Sequence, residues 1–216
     1  MGLGIEVGHL ANLVAWGEDT DDFEATLETV NALLARRGLP SHVEPRTAPT
    51  VSSRCSMAGF PYSTLHYLRL AYAHRANNPR WVAAPVPDKV IPMADPTLQE
   101  IAGQFDSHLL CHSDCEGLYV PVDFPDVLFA RPDDDLPDDL PGDLLGSTFR
   151  LREELALVAP ALGIALDADG ELPDPEAARL DGIGEDDPMS RELLAWFALW
   201  EAARVSLASG CAIVYC

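Results

Sequence analysis

Residues 112–117 read HSDCEG, setting His112, Ser113, Asp114, Cys115 and Glu116 side by side with Gly117 closing the run. Imidazole, thiol and carboxylate groups serve metal coordination and nucleophilic catalysis, so the first question is whether this stretch assembles either. If 108–112 is extended, alternation puts His108, Leu110 and His112 on one side. With Asp114 and Glu116 bending in, His108, His112, Asp114 and Glu116 form a donor set suited to zinc or another divalent metal. Spacing argues the other way. There is no His-Glu-x-x-His and no Cys-x-x-Cys, and Cys111 and Cys115 lack a second pair unless Cys55 or Cys211 folds nearby. The expectation is no cofactor, with a divalent metal as the alternative.

The catalytic reading makes Cys115 a nucleophile, with His112, Asp114 and Glu116 as its acid–base partners in a hydrolase. Two flanking carboxylates oppose it, because nearby negative charge raises a cysteine pKa. The competing reading is a polar turn in which Ser113 and Asp114 bond the backbone. A site would need a group from elsewhere in the chain, and His66, His74 and Cys55 are the candidates. The DADGE stretch at 167–171 has its glycine in the wrong place for a calcium loop, and position 178 is Ala178 where a glutamate is needed. No phosphate-cradling glycine loop, Gly-x-Ser-x-Gly elbow or dinucleotide fingerprint occurs.

The elements that must position these residues read as α+β. A helix capped at Asp19 or Thr20 carries Phe23, Leu27, Val30 and Leu34 at helical spacing and ends at Arg36, Arg37 and Gly38. A second starts at Thr64, with Leu65, Leu68 and Tyr72 on one face, and a short third follows Pro96. Beyond 143 the chain is helical: about 143–159, a turn after Pro175, and a long helix over 188–209 striped by Leu193, Trp196, Trp200, Ala203 and Leu207. Residues 3–16 read as an opening strand, 107–122 as a hairpin around Gly117, and CAIVY near the C-terminus as a strand returning to the same sheet. Prolines at 85, 87 and 92 confine any strand over 81–91 to a sheet edge, and 40–61 is a wandering connection. The expected fold is a small mixed or antiparallel sheet against several helices, with a helical C-terminal lobe in a single domain, 1–216. The acidic stretch 131–143, with six aspartates and three prolines, is the candidate lobe boundary.

Net charge is the strongest compositional signal. Thirty-five acidic residues against fourteen basic ones give −21, and the only lysine is Lys89. That excess disfavours nucleic acid and anionic lipid and favours a basic protein partner. Acidic, lysine-poor usage as a habit of the source proteome is the competing explanation. No membrane-spanning run and no secretory leader is evident, and five cysteines are an odd number in a long chain, so a reduced, cytoplasmic setting is expected.

The run HLLCHSDCEGLYVPVDF, within about residues 107–124, resembles a segment recurring in uncharacterised bacterial and plant proteins with a similar His-Ser-Asp-Cys-Glu-Gly and Pro-Val-Asp-Phe pattern. That resemblance implies no catalytic role. The functional expectation is a non-enzymatic, immunity- or inhibitor-like protein that engages a basic partner through Asp133, Asp134, Asp135, Asp138 and Asp139, with a second acidic run at 181–187. A metal- or thiol-dependent hydrolase centred on 108–116 is the alternative.

Overall fold

The computed structural model describes residues 2–57 and 59–216. It is an α+β fold, as the periodicity predicts. A sheet of six short strands runs in the order β2-β1-β6-β3-β5-β4, formed by β1 (Leu3–Val7), β2 (Gly59–Phe60), β3 (Leu118–Val120), β4 (Leu128–Phe129), β5 (Leu144–Ser147) and β6 (Ile213–Tyr215). All neighbours pair antiparallel except β3 and β5, where Tyr119 lies opposite Gly146. The C-terminal strand does return to the sheet, between β1 and β3, and so pins both chain ends to one surface.

Alternation along the strands divides the interior in two. Tyr119, Ile213 and Tyr215 face one apolar cluster with Leu65, Leu68, Trp196 and Trp200, while Leu118, Val120 and Ala212 face another with Val30, Leu33 and Leu34. The first cluster is roofed by α3 (Tyr62–Asn77), α6 (Thr148–Val158) and α8 (Ser190–Ser209); the second by α2 (Asp21–Arg36). Asp21, Asp22 and Glu24 occupy the first turn of α2, where carboxylates suit the positive end of the helix dipole. The remaining helices are α1 (His9–Trp16), α4 (Pro96–Ala102), α5 (His108–Cys111) and α7 (Asp174–Asp181). No described helix is long and apolar enough to cross a membrane.

Three expectations change. The opening strand stops at Val7, because Gly8 takes a left-handed φ of 84° against Pro49 and Cys211 and turns the chain into α1. The 81–91 stretch forms no strand; Ala83 N–H donates to Ala161 O and Arg191 donates to Val86 O, so helix-side contacts hold it. The 107–122 hairpin is not formed either: its first arm is the short helix α5, and only its second arm, β3, is a strand. The acidic stretch 131–143 connects two paired strands of the same sheet, since Leu128 lies opposite Leu145 and Phe129 opposite Leu144.

At the β3–β5 contact a side chain on Gly146 would overlap the Tyr119 ring and come within 2.7 Å of the His112 ring. Gly146→Ala is therefore expected to destabilise by about 1–3 kcal/mol in urea denaturation. An unchanged midpoint would show that this corner is loosely packed.

Candidate functional site

The HSDCEG stretch is held from both ends of α5. At the start, Ser107 caps the helix by accepting from Leu110 N–H, and the Glu154 carboxylate on α6 accepts from His108 N–H (2.8 Å), Leu109 N–H (2.6 Å) and the Ser107 hydroxyl. At the end, Arg69 on α3 donates to the carbonyls of Leu109, His112 and Ser113 at 2.9, 2.5 and 3.1 Å. Arg69 is 4% exposed, and burial pushes its pKa down. Its charge is met by the carbonyl end of a helix and not by a carboxylate.

This frame decides what the two histidines do. His108 Nδ1 accepts from Ser147 N–H, and its Nε2 faces Pro125 O at 3.2 Å, so both ring nitrogens are occupied by backbone. His112 lies stacked on Tyr119, with Nδ1 2.9 Å from His108 O and Nε2 3.2 Å from Leu118 O. Burial, opposed by the two carbonyls, pushes His112 down to about 3, so the ring is a neutral strut that donates to one of them. Neither histidine offers a lone pair to the loop that follows.

The remaining residues point outward. Ser113 Oγ accepts from Cys115 N–H and Glu116 N–H at 3.0 Å, which makes the stretch a compact hydroxyl-bonded turn. Cys115 and Glu116 are exposed, and Asp114 pairs with His66 at 3.1 Å. His66 is the one outside candidate that reaches the loop. Its pKa is lowered by burial and by Arg69, against the pull of Asp114. His74 instead pairs with Asp95 and stacks on Trp81, and Cys55 lines a cleft of about 260 Å³ with Ile5, Val7 and Ala202. His108, His112, Asp114 and Glu116 are therefore not gathered around a common point. No group of three or more His, Cys, Asp or Glu that could hold a metal occurs among the described residues. Among the described residues no imidazole is hydrogen-bonded to Cys115; its sulfur contacts Ser113 Oγ at 3.2 Å.

The acidic loop 131–143 is the other candidate, and its aspartates divide into two kinds. Asp134 is 7% exposed, receives two hydrogen bonds from Arg37 (2.8 and 2.9 Å) and a third from Arg131 N–H, and is held down at about 2 by the Arg37 hydrogen bonds and the Arg131 amide. Its carboxylate is thus engaged within the fold as an internal tether. Asp133, Asp135, Asp138, Asp139 and Asp143 are exposed, and none forms an ion pair among the described residues. Asp135 and Asp143 take positive φ values of 48° and 58°, a conformation aspartate tolerates better than most residues. Together with Arg36, which donates to Asp135 O, these features fix the loop as a carboxylate-lined concavity of about 660 Å³. Its far end meets the turn described above, because Gly142 packs against Glu116. In the second run, Asp181 accepts from Ser56 N–H and Asp187 from Met189 N–H, leaving Glu185 and Asp186 exposed.

Sequence reasoning missed Arg69 and Glu154, whose roles depend on partners about forty residues away in the chain. An arginine among the apolar residues of LHYLRLAYA was the available signal, since such a residue inside a buried helix needs acceptors. Arg69→Met should cost about 3 kcal/mol in chemical denaturation, because three carbonyls lose their donor at about 1–3 kcal/mol each. Lys should restore less than half, for want of the guanidinium fork. Near-wild-type stability of the Met variant would show that the loop does not depend on the clamp. Burial, opposed by its three donors, pushes the Glu154 carboxyl up to about 7. Its stabilising contribution is thus present in full below the ordinary carboxylate range and is lost as pH rises through about 7. Wild type should lose stability relative to Glu154→Gln between about pH 5 and about pH 8; parallel profiles would contradict this.

No curated protein and no solved structure matches the chain. A family model matches residues 1–215, far beyond the 107–124 segment, and its description is "Putative DNA-mimic protein". That finding corrects the immunity- or inhibitor-like expectation, because the description names a putative DNA mimic and no immunity protein or inhibitor. The chain belongs to the family described as "Putative DNA-mimic protein".

Proposed function

We propose that the protein occupies the DNA-binding surface of a DNA-binding protein, with its exposed carboxylates standing where backbone phosphates would lie. The observation that carries this reading is the fixed, unpaired set Asp133, Asp135, Asp138, Asp139 and Asp143 beside Glu116. A surface built to bind phosphate offers Arg and Lys at close intervals, and a polyanion that brings its charges already ordered recovers the counterion-release term that drives DNA binding. Order matters here because a flexible acidic tail would lose conformational entropy on docking, whereas this loop is tethered by Asp134 and Arg37. The net charge of −21 supports the same reading and disfavours DNA itself as the ligand.

The second support is spacing. The C-terminal end of α2 touches the acidic loop through Arg36 and Arg37, while exposed Glu18, Asp19, Asp21 and Asp22 gather at the opposite end. Sixteen residues separate the ends, about 24 Å of helix. That is the length of about seven base-pair steps. Exposed Glu28 lies between, so α2 carries acidic side chains at its start and along its length. We place this activity in the cytoplasm, where DNA-binding proteins are within reach.

The test is competition. Immobilised protein should retain DNA-binding proteins from a cell extract and release them when a duplex of about 20 base pairs is added. Changing Asp133, Asp135, Asp138, Asp139 and Asp143 together to Asn, with Asp134 left intact, should weaken retention at least about tenfold while leaving thermal stability near wild type. Retention indifferent to competing DNA, or unaffected by the five changes, would overturn the reading.

A further inference from the structure

A separate cavity of about 220 Å³ lies between α3, the start of α8 and the 81–90 segment. Its walls are largely apolar, formed by Leu70, Ala71, Val86 and Val90, with aromatic surface from Tyr67 and the stacked pair His74–Trp81. One acidic side chain belongs to this lining. Glu192 is 1% exposed, and neither of its carboxylate oxygens has a hydrogen-bond partner. The neighbouring cation does not serve it. Arg191 lies over the Tyr67 ring at 3.9 Å and donates to Val86 O and Asp88, and it makes no hydrogen bond to Glu192 among the described residues.

A buried carboxylate without a partner is costly, because burial removes water and nothing replaces it. The cost falls if a ligand brings a positive N–H donor into the cavity. The Trp81 ring on the same walls favours a cation too, and apolar surface favours an attached hydrocarbon. The lining supplies a single carboxylate and no second acidic side chain, which suits an ammonium better than a divalent metal. An anion is excluded by Glu192.

We propose that this cavity binds a small primary alkylammonium, its ammonium group seated on the Glu192 carboxylate and its alkyl chain against Leu70, Ala71 and Val86. The site is independent of the acidic loop and of the DNA-mimic reading.

The experiment titrates n-butylammonium chloride into the full-length protein by calorimetry and by backbone amide shifts, with n-butanol as the uncharged control. Saturable binding of butylammonium, at least about tenfold tighter than butanol, is expected. Glu192→Gln should abolish that preference while keeping the wild-type far-ultraviolet circular dichroism. Val86→Trp, which fills the cavity and leaves the charge in place, should block binding too. A lysine side chain presents the same chemistry, so Nα-acetyl-lysine N-methylamide forms a second arm: equal binding assigns a protein lysine as the source, and binding of butylammonium alone assigns a free amine. Failure of both to bind, or equal binding by butanol or by the Gln variant, overturns the proposal.

Discussion

A buried guanidinium holds this fold's working surface in place. Arg69 reaches from α3 into the carbonyl end of α5 and fixes the start of the HSDCEG turn, while Glu154 fixes the opposite end of the same short helix. A four-residue helix has no stability of its own, so these two clamps supply what its length cannot. The consequences run outward. With α5 set, His112 stacks on Tyr119, Gly146 is left only enough room for a hydrogen, and β3 is brought into register with β5 and β6. The acidic loop hangs between β4 and β5, and its Gly142 rests on Glu116 of the clamped turn.

Charge is partitioned in a way that fits the family. Eight of the fourteen basic residues, Arg37, Arg46, Arg54, Arg150, Arg152, Arg179, Arg191 and Arg204, already lie against a carboxylate within the chain. Arg69 is spent on carbonyls. Glu201 shows the internal use most clearly: burial alone would raise its pKa, but hydrogen bonds from Arg204 and Arg54 outweigh that and hold it down. With most of the cations committed this way, a large acidic excess is left on the surface. Self-repulsion among those carboxylates costs stability in the free protein. A cationic surface that accepted them would relieve that cost.

Much of the architecture was legible in the sequence, and the reason is periodicity. The stripes in 19–38, in the helix after Thr64 and in 188–209 are long enough to specify both the element and its buried face, and α2, α3 and α8 follow them closely. Short elements were not legible. Four residues of α5 carry no period, and what makes them helical is a carboxylate at Glu154, far along the chain. The acidic run showed the same limit. Asp134 is indistinguishable from Asp133 or Asp135 by type or neighbours, and only the approach of Arg37 makes it a tether. The HSDCEG turn attracted attention for its chemistry; in the fold its histidine is held by backbone groups, and its exposed end carries Cys115 and Glu116.

The central claim is that unpaired carboxylates on a tethered loop replace phosphates. The most direct measurement is the salt dependence of the complex with a DNA-binding protein, compared with that of the same protein on duplex DNA. The account predicts that log affinity falls linearly with log salt in both cases, with slopes of similar size, since the same cationic contacts are used. An affinity that does not change with salt, while DNA binding by the same protein does, would contradict it.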